Sequence, residues 1–225
     1  MGDTMVIALF RHGLTAENER KAYMGWTDAP LSENGRDKLQ EKGRPIPEYE
    51  WICTSDLVRA KETAAYWFPD QKLWRKACFR EINFGDWEGR TYEELKSLHD
   101  YRNWLNAPFK VSATNGESFK EMAQRVEEGW ESLMKRAEQH HRIAIVTHGG
   151  VIRYLLSVYG AEIKNFWDYT IQPGEGIELI WSRKESFRRK ERCTLLQEVA
   201  FTGKKLGINV CKGTRFCKWK GNSFI

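Results

Sequence analysis

The order of elements along this chain predicts an α/β fold, a three-layer α/β/α sandwich built on a mainly parallel central sheet. Three observations carry that expectation. Residues 5–10 and Arg142–Thr147 are short aliphatic runs without strict alternation, the pattern of strands buried on both faces. Each runs into a histidine followed by glycine, Arg11-His12-Gly13 in the first case and Thr147-His148-Gly149-Gly150 in the second. Amphipathic stretches long enough for crossover helices lie between the runs, as parallel pairing requires.

Taken in order, the first strand delivers Arg11 and His12 to its carboxyl end, the edge of an open α/β sheet where ligands bind. Leu31 to Gly35 reads as a turn with Ser32 as N-cap, opening a helix through about residue 42 that Pro45 and Pro47 close. Trp51–Thr54 is a short strand candidate. Ser55 or Asp56 is then expected to cap a helix whose Leu57, Ala60, Ala64 and Trp67 share one face. Arg59 falls in its first turn, where free N–H groups and the helix dipole favour an anion. Residues 79–89 have no clean period and carry two glycines, which predicts an ordered loop with at most a short strand. Thr91-Tyr92-Glu93-Glu94 and Ser118-Phe119-Lys120-Glu121 are capping boxes. The second opens a long helix to about residue 139, with Met122, Val126, Trp130 and Leu133 on its apolar face. A helix over residues 150–159 and a strand at Gly176–Trp181 complete the expected fold.

Length and charge bound the rest. A chain of 225 residues with 41% hydrophobic content supports one good core. The expected organisation is a catalytic domain over residues 1–181 and a basic C-terminal extension, partly ordered at best, over residues 182–225. The net charge of +5 is uneven: the extension holds 12 basic against 3 acidic residues, the remainder 24 against 28. Contact of that tail with nucleic acid or an anionic surface is one expectation, and a solvated charge run is the other. No apolar run approaches the roughly 18 residues of a membrane helix, and the first ten residues lack a signal-peptide pattern. The expected address is cytoplasmic, without membrane contact. Five cysteines, none in a Cys-x-x-Cys pair, predict free thiols rather than a zinc site.

Arg11, His12, Asn18, Arg59, Glu81 and His148 are the residues with chemistry to offer. Two histidines, two arginines, a carboxylate and an amide, drawn from loops that can meet at one sheet edge, suit phosphoryl transfer with neither metal nor cofactor. The segments RHGLTAEN (11–18), YMGWTDAPLSENG (23–35), SDLVRAKETA (55–64), EINFGDWEG (81–89) and THGG (147–150) stand in an order and near a spacing that resembles the histidine phosphatase superfamily, also called phosphoglycerate-mutase-like. The resemblance covers residues 5–181. It implies that His12 attacks phosphorus and carries the phosphoryl group, that Arg11, Arg59 and His148 surround its equatorial oxygens, and that Glu81 serves as acid and then base. It also implies that Asn18, Gly13, Gly149 and Gly25 complete the substrate cradle. Glu88 lies in the same loop as Glu81. The place of Glu81 before Phe84-Gly85 matches the family's acid, and Glu88-Gly89 matches a structural part of that motif.

Within the family, the phosphoglycerate mutases follow the acid with an arginine and, shortly after, a lysine. Here the matching positions are Ile82 and Tyr92. The resemblance is therefore nearest the alpha-ribazole phosphatases and broad-specificity phosphatases, with a small phosphomonoester as substrate and water as acceptor. Trp26 and Trp87 are candidate apolar walls for the leaving group. A mutase and a non-catalytic module that binds a phosphorylated ligand are the alternative readings. Leu14 stands where the family usually has Glu after the RHG triplet, a change to the pocket wall that touches no proposed catalytic role.

Overall fold

A computed structural model describes residues 3–203 of the chain. The strands are β1 (Met5–Arg11), β2 (Trp51–Thr54), β3 (Leu73–Arg75), β4 (Arg142–Thr147), β5 (Gly176–Trp181) and β6 (Leu195–Glu198). They form one sheet in the order β3-β2-β4-β1-β5-β6. The pairs β3/β2, β2/β4 and β4/β1 are parallel, whereas β5 and β6 run antiparallel at the other edge. The expected mainly parallel sandwich is what the chain forms.

Around the sheet lie α1 (Ala16–Glu19), α2 (Glu33–Lys42), α3 (Val58–Trp67), α4 (Tyr92–Leu95), α5 (His99–Asn106), α6 (Phe119–Arg136), α7 (Gly149–Tyr159) and α8 (Lys184–Arg188). Alternation along β1 sorts the layers. Met5, Ile7 and Leu9 pack with Val126, Trp130 and Leu155 of α6 and α7, while Ala8 and Phe10 pack with Leu39, Ala60, Ala64 and Trp67 of α2 and α3. A third cluster of Tyr23, Phe84, Trp87, Leu95, Tyr101 and Trp104 joins the 83–87 loop to α4 and α5. Ser32 caps α2, and both predicted capping boxes are present, at Thr91 and Ser118. The first of these opens only a four-residue helix before α5 begins.

One local expectation is corrected. Neither Ser55 nor Asp56 caps α3: Leu57 is its N-cap residue and offers no side-chain acceptor, so the Asp28 carboxylate takes the Val58 N–H from a distant loop at 2.5 Å. Asp56 is instead paired with Arg80. Beyond Trp181 the chain continues into the fold. β6 pairs with β5, and Val199 and Phe201 are buried in the same cluster as Phe10 and Trp67. The rest of the basic tail lies outside the described residues.

Candidate active site

Three parallel strands end in register and set the site. Arg11 pairs with Thr147 and Thr54 with Val146, so the loops after β1, β2 and β4 leave the sheet side by side. The His12 N–H donates to the Thr147 carbonyl at 3.0 Å, and the Ser55 N–H to the Val146 carbonyl at 2.9 Å. Backbone pairing thus brings His12, Ser55 and His148 together although the first and last of them stand 136 positions apart. The His12 and His148 ring centroids are 5.0 Å apart.

His12 is 3% exposed, and its Nδ1 lies 2.6 Å from the Gly13 carbonyl. A carbonyl only accepts, so Nδ1 carries the proton and Nε2 of the neutral ring holds the lone pair. Burial, with Arg59 and Arg11 nearby, pushes the imidazole well below its usual range and keeps it neutral. The Gly13 N–H is engaged within the protein. That N–H donates to Thr63 Oγ1 at 3.0 Å, and Gly13 serves by fixing the histidine tautomer.

Arg59 is fully buried in the first turn of α3; its Nη2 donates to the Gly25 carbonyl at 2.6 Å and its Nη1 to Thr27 at 2.9 Å. Gly25 therefore holds the arginine, and a Cβ there would run into the Ile82 carbonyl and the Glu88 carboxylate. Arg11 donates from Nη1 to the Ile171 carbonyl at 2.9 Å. Burial brings both guanidinium groups down to about 10, still charged at neutral pH. His148, 1% exposed and likewise pushed well down by burial and Arg59, hydrogen-bonds through Nε2 to Ser55 Oγ at 2.9 Å. Arg11 Nε, Arg59 Nε and His148 Nδ1 are buried without a protein partner. Buried polar nitrogens in a native fold are nearly always satisfied, and an oxyanion held among them would satisfy these.

Glu81 is held at the start of α7. Its Oε2 accepts the Gly150 N–H and its Oε1 the Ile82 N–H, both at 2.9 Å. Any side chain at Gly150 would collide with the carboxylate, so this close approach needs glycine. The Arg11 guanidinium lies against the helix start at Gly149, the first residue of α7. Glu88 takes the structural part: its carboxylate accepts the N–H groups of Trp26, Thr27 and Phe84 and the Thr27 hydroxyl. Asn18 closes the capping box of α1 with Thr15, its Oδ1 accepting the Thr15 N–H at 3.3 Å.

The indole wall expected of Trp87 is corrected, whereas Trp26 stands 39% exposed beside the loop that carries the acid. Trp87 is 2% exposed among Tyr101 and Trp104, and Trp26 donates its indole N–H to the Glu81 carbonyl at 3.0 Å. Among residues given no part in the site from sequence, Ser55 orients His148, Thr63 holds Gly13, and Arg125 gathers the loop that carries Glu81. Arg125 donates to the carbonyls of Cys78, Arg80 and Glu81 at 2.7–2.9 Å and makes a forked pair with Glu117 at 2.6 and 2.7 Å. Its place on the polar face of an amphipathic helix made it look like an ordinary surface charge. Only the carboxylate eight residues earlier hinted otherwise.

A neutral imidazole, two buried arginines and a second histidine facing a carboxylate at the open edge of an α/β sheet define an enzyme of the phosphoryl-transfer class. The family model of the histidine phosphatase superfamily (branch 1) matches residues 7–190, and the chain belongs to that superfamily, whose members are phosphatase- or mutase-type enzymes acting on small phosphorylated substrates. It is 28% identical over 177 residues to the adenosylcobalamin/alpha-ribazole phosphatase of Escherichia coli K12, covering 76% of this chain and 87% of that one. It is 25% identical over 228 residues to the 2,3-bisphosphoglycerate-dependent phosphoglycerate mutase of Haemophilus ducreyi, covering 83% and 99%. The crystal structure of the alpha-ribazole phosphatase from Shigella flexneri superimposes with a TM-score of 0.72 at 27% identity, over 80% of this chain and 92% of that one. No helix among the described residues is long and apolar enough to cross a membrane.

Proposed function

We propose that this protein hydrolyses phosphomonoesters through a phosphohistidine formed on His12, with alpha-ribazole phosphate the first physiological substrate to test. The observation that carries the reading is the 2.6 Å contact between His12 Nδ1 and the Gly13 carbonyl, which leaves Nε2 as the attacking atom among the buried donors Arg11, Arg59 and His148. As the bond from Nε2 to phosphorus forms, the bond to the ester oxygen breaks, and Glu81 in its acid form gives that oxygen a proton. Arg11, Arg59 and His148 bind the equatorial oxygens, where preorganised donors stabilise transition-state charge. The Glu81 carboxylate then takes a proton from water, whose oxygen attacks phosphorus and frees both the His12 nitrogen and inorganic phosphate.

Support for water as acceptor comes from Ile82, an apolar residue next to the acid that offers no cation to a phosphoglycerate carboxylate. Phosphoglycerate isomers followed by mass spectrometry are expected to stay unconverted. The direct test is turnover of p-nitrophenyl phosphate in EDTA, with radiolabelled phosphate trapped on the protein. An acid-labile, base-stable label that His12→Ala abolishes together with activity is the expected result; a fully active His12→Ala enzyme overturns the assignment.

A further inference from the structure

Glu81 and Gly150 line more than the anion ring. They also form one wall of an open, mainly apolar pocket, lined as small-molecule sites are. The remaining walls are mainly aromatic and come from separate parts of the chain. Phe109 and Phe119 come from the 107–119 segment, Phe166 and Trp167 follow α7, and Phe84 and Trp104 belong to the third cluster. The Phe109 ring meets Phe119 edge-on at 4.7 Å and Phe166 at 5.7 Å, and lies tilted 31° to Trp167 at 5.8 Å. Phe109 is 47% exposed, so this aromatic group is open to solvent on the side of its ring.

The pocket is continuous with the chemistry. Glu81 lines it while its Oε2 accepts the Gly150 N–H, two residues beyond His148, so one carboxylate borders both the anion site and the aromatic walls. Arg153, the one cationic side chain of the lining, rests over the Trp167 ring at 5.8 Å and donates from Nε to the Tyr169 carbonyl at 3.0 Å. Its charge is answered by Glu81, and its guanidinium adds a flat surface to the wall. A polyol entering here would lose water and find few hydrogen-bonding groups in return. A flat ring would meet edges and faces placed for stacking.

We propose that this pocket is the leaving-group subsite and that it selects phosphomonoesters whose alcohol carries a flat aromatic group close to the ester oxygen. Phe109 and Trp167 are its specificity-determining residues. The inference rests on the phosphomonoesterase reading above, and the test separates the two.

Naphthylmethyl, cyclohexylmethyl and hydroxyethyl phosphates release alcohols of comparable acidity, so differences in their kcat/KM report the pocket rather than the leaving tendency. The intact protein is expected to prefer them in that order, with naphthylmethyl phosphate ahead of hydroxyethyl phosphate by about tenfold or more. Phe109→Ala and Trp167→Ala are each expected to shrink that ratio by about fivefold or more, whatever their effect on absolute rates. Equal kcat/KM for the three esters, or a ratio untouched by both substitutions, overturns the subsite while leaving the hydrolase reading intact. No turnover of any ester by the intact protein, together with no phosphorylated His12, overturns both.

Discussion

His12 works through what surrounds it. The Gly13 carbonyl selects the tautomer, Thr63 anchors the Gly13 N–H, and burial among arginines keeps the ring neutral. The same logic operates one step removed at Glu81. Arg125 binds three carbonyls on the Glu81 loop, while its partner Glu117 accepts the Asn83 N–H at 3.3 Å just beyond. Breaking such a pair strands a partly buried carboxylate, and Arg125→Ala is expected to cost about 3–5 kcal/mol in chemical denaturation. Its kinetic signature is more telling. General acid help is worth about a hundredfold to ten-thousandfold, so a displaced Glu81 slows phosphorylation by alkyl phosphates, which need leaving-group protonation, far more than by p-nitrophenyl phosphate, which does not. Single-turnover rates of the two esters in Arg125→Ala and Arg125→Lys check this, and a purely structural role would slow both alike.

At the scale of elements, the site is a product of strand register. β1, β2 and β4 sit next to one another and end level, which is why a residue after each can share one hollow. The antiparallel edge formed by β5 and β6 supports that arrangement from the side. Phe201, just past β6, is 2% exposed and packs against Phe10 at 6.3 Å and Trp67 at 5.4 Å between ring centroids. Phe10 directly precedes Arg11. Phe201→Ala is expected to lower stability by about 3–5 kcal/mol by urea titration, a large part of the roughly 5–15 kcal/mol that a domain has. A chain cut at residue 181 is expected not to fold, as judged by near-ultraviolet circular dichroism, because it also loses Phe187 and Val199 from the core.

For the whole molecule, the two buried histidines tie stability to pH. Burial is the first cause of the downward shift in both, and neighbouring arginines add to it. Above about pH 6.5 both rings are neutral in folded and unfolded chains and contribute no pH dependence. Below it the unfolded chain binds protons that the native state refuses, so stability falls by about 1.4 kcal/mol per pH unit for each histidine until the folded-state values are reached. Denaturation at pH 7.0 and 5.5 is expected to show this loss, and His148→Gln to show a shallower one. An unchanged slope in that variant would mean the ring is already charged in the native protein.

How much of this was legible beforehand depends on the range of the interaction. Periodicity and capping are local, so the strands at 51–54 and 142–147, the Ser32 cap and both capping boxes could be read from a few neighbouring residues. The short strand β3 was not, since three residues of half-buried Leu73, Trp74 and Arg75 carry no period. The cap of α3 was misplaced because its acceptor, Asp28, lies 30 residues away. By itself the sequence determined the chemical inventory, with His12, His148, Arg11, Arg59 and Glu81 at or near the ends of predicted elements, and the strand–helix alternation that makes an α/β sheet. Tertiary structure alone decided which groups meet: that the Gly13 carbonyl orients a histidine, that Arg125 grips the acid's loop, and that rings from three distant segments close around one pocket. Short-range patterning is written in adjacent residues, whereas these partnerships exist only once parallel strands align ends that the chain leaves far apart.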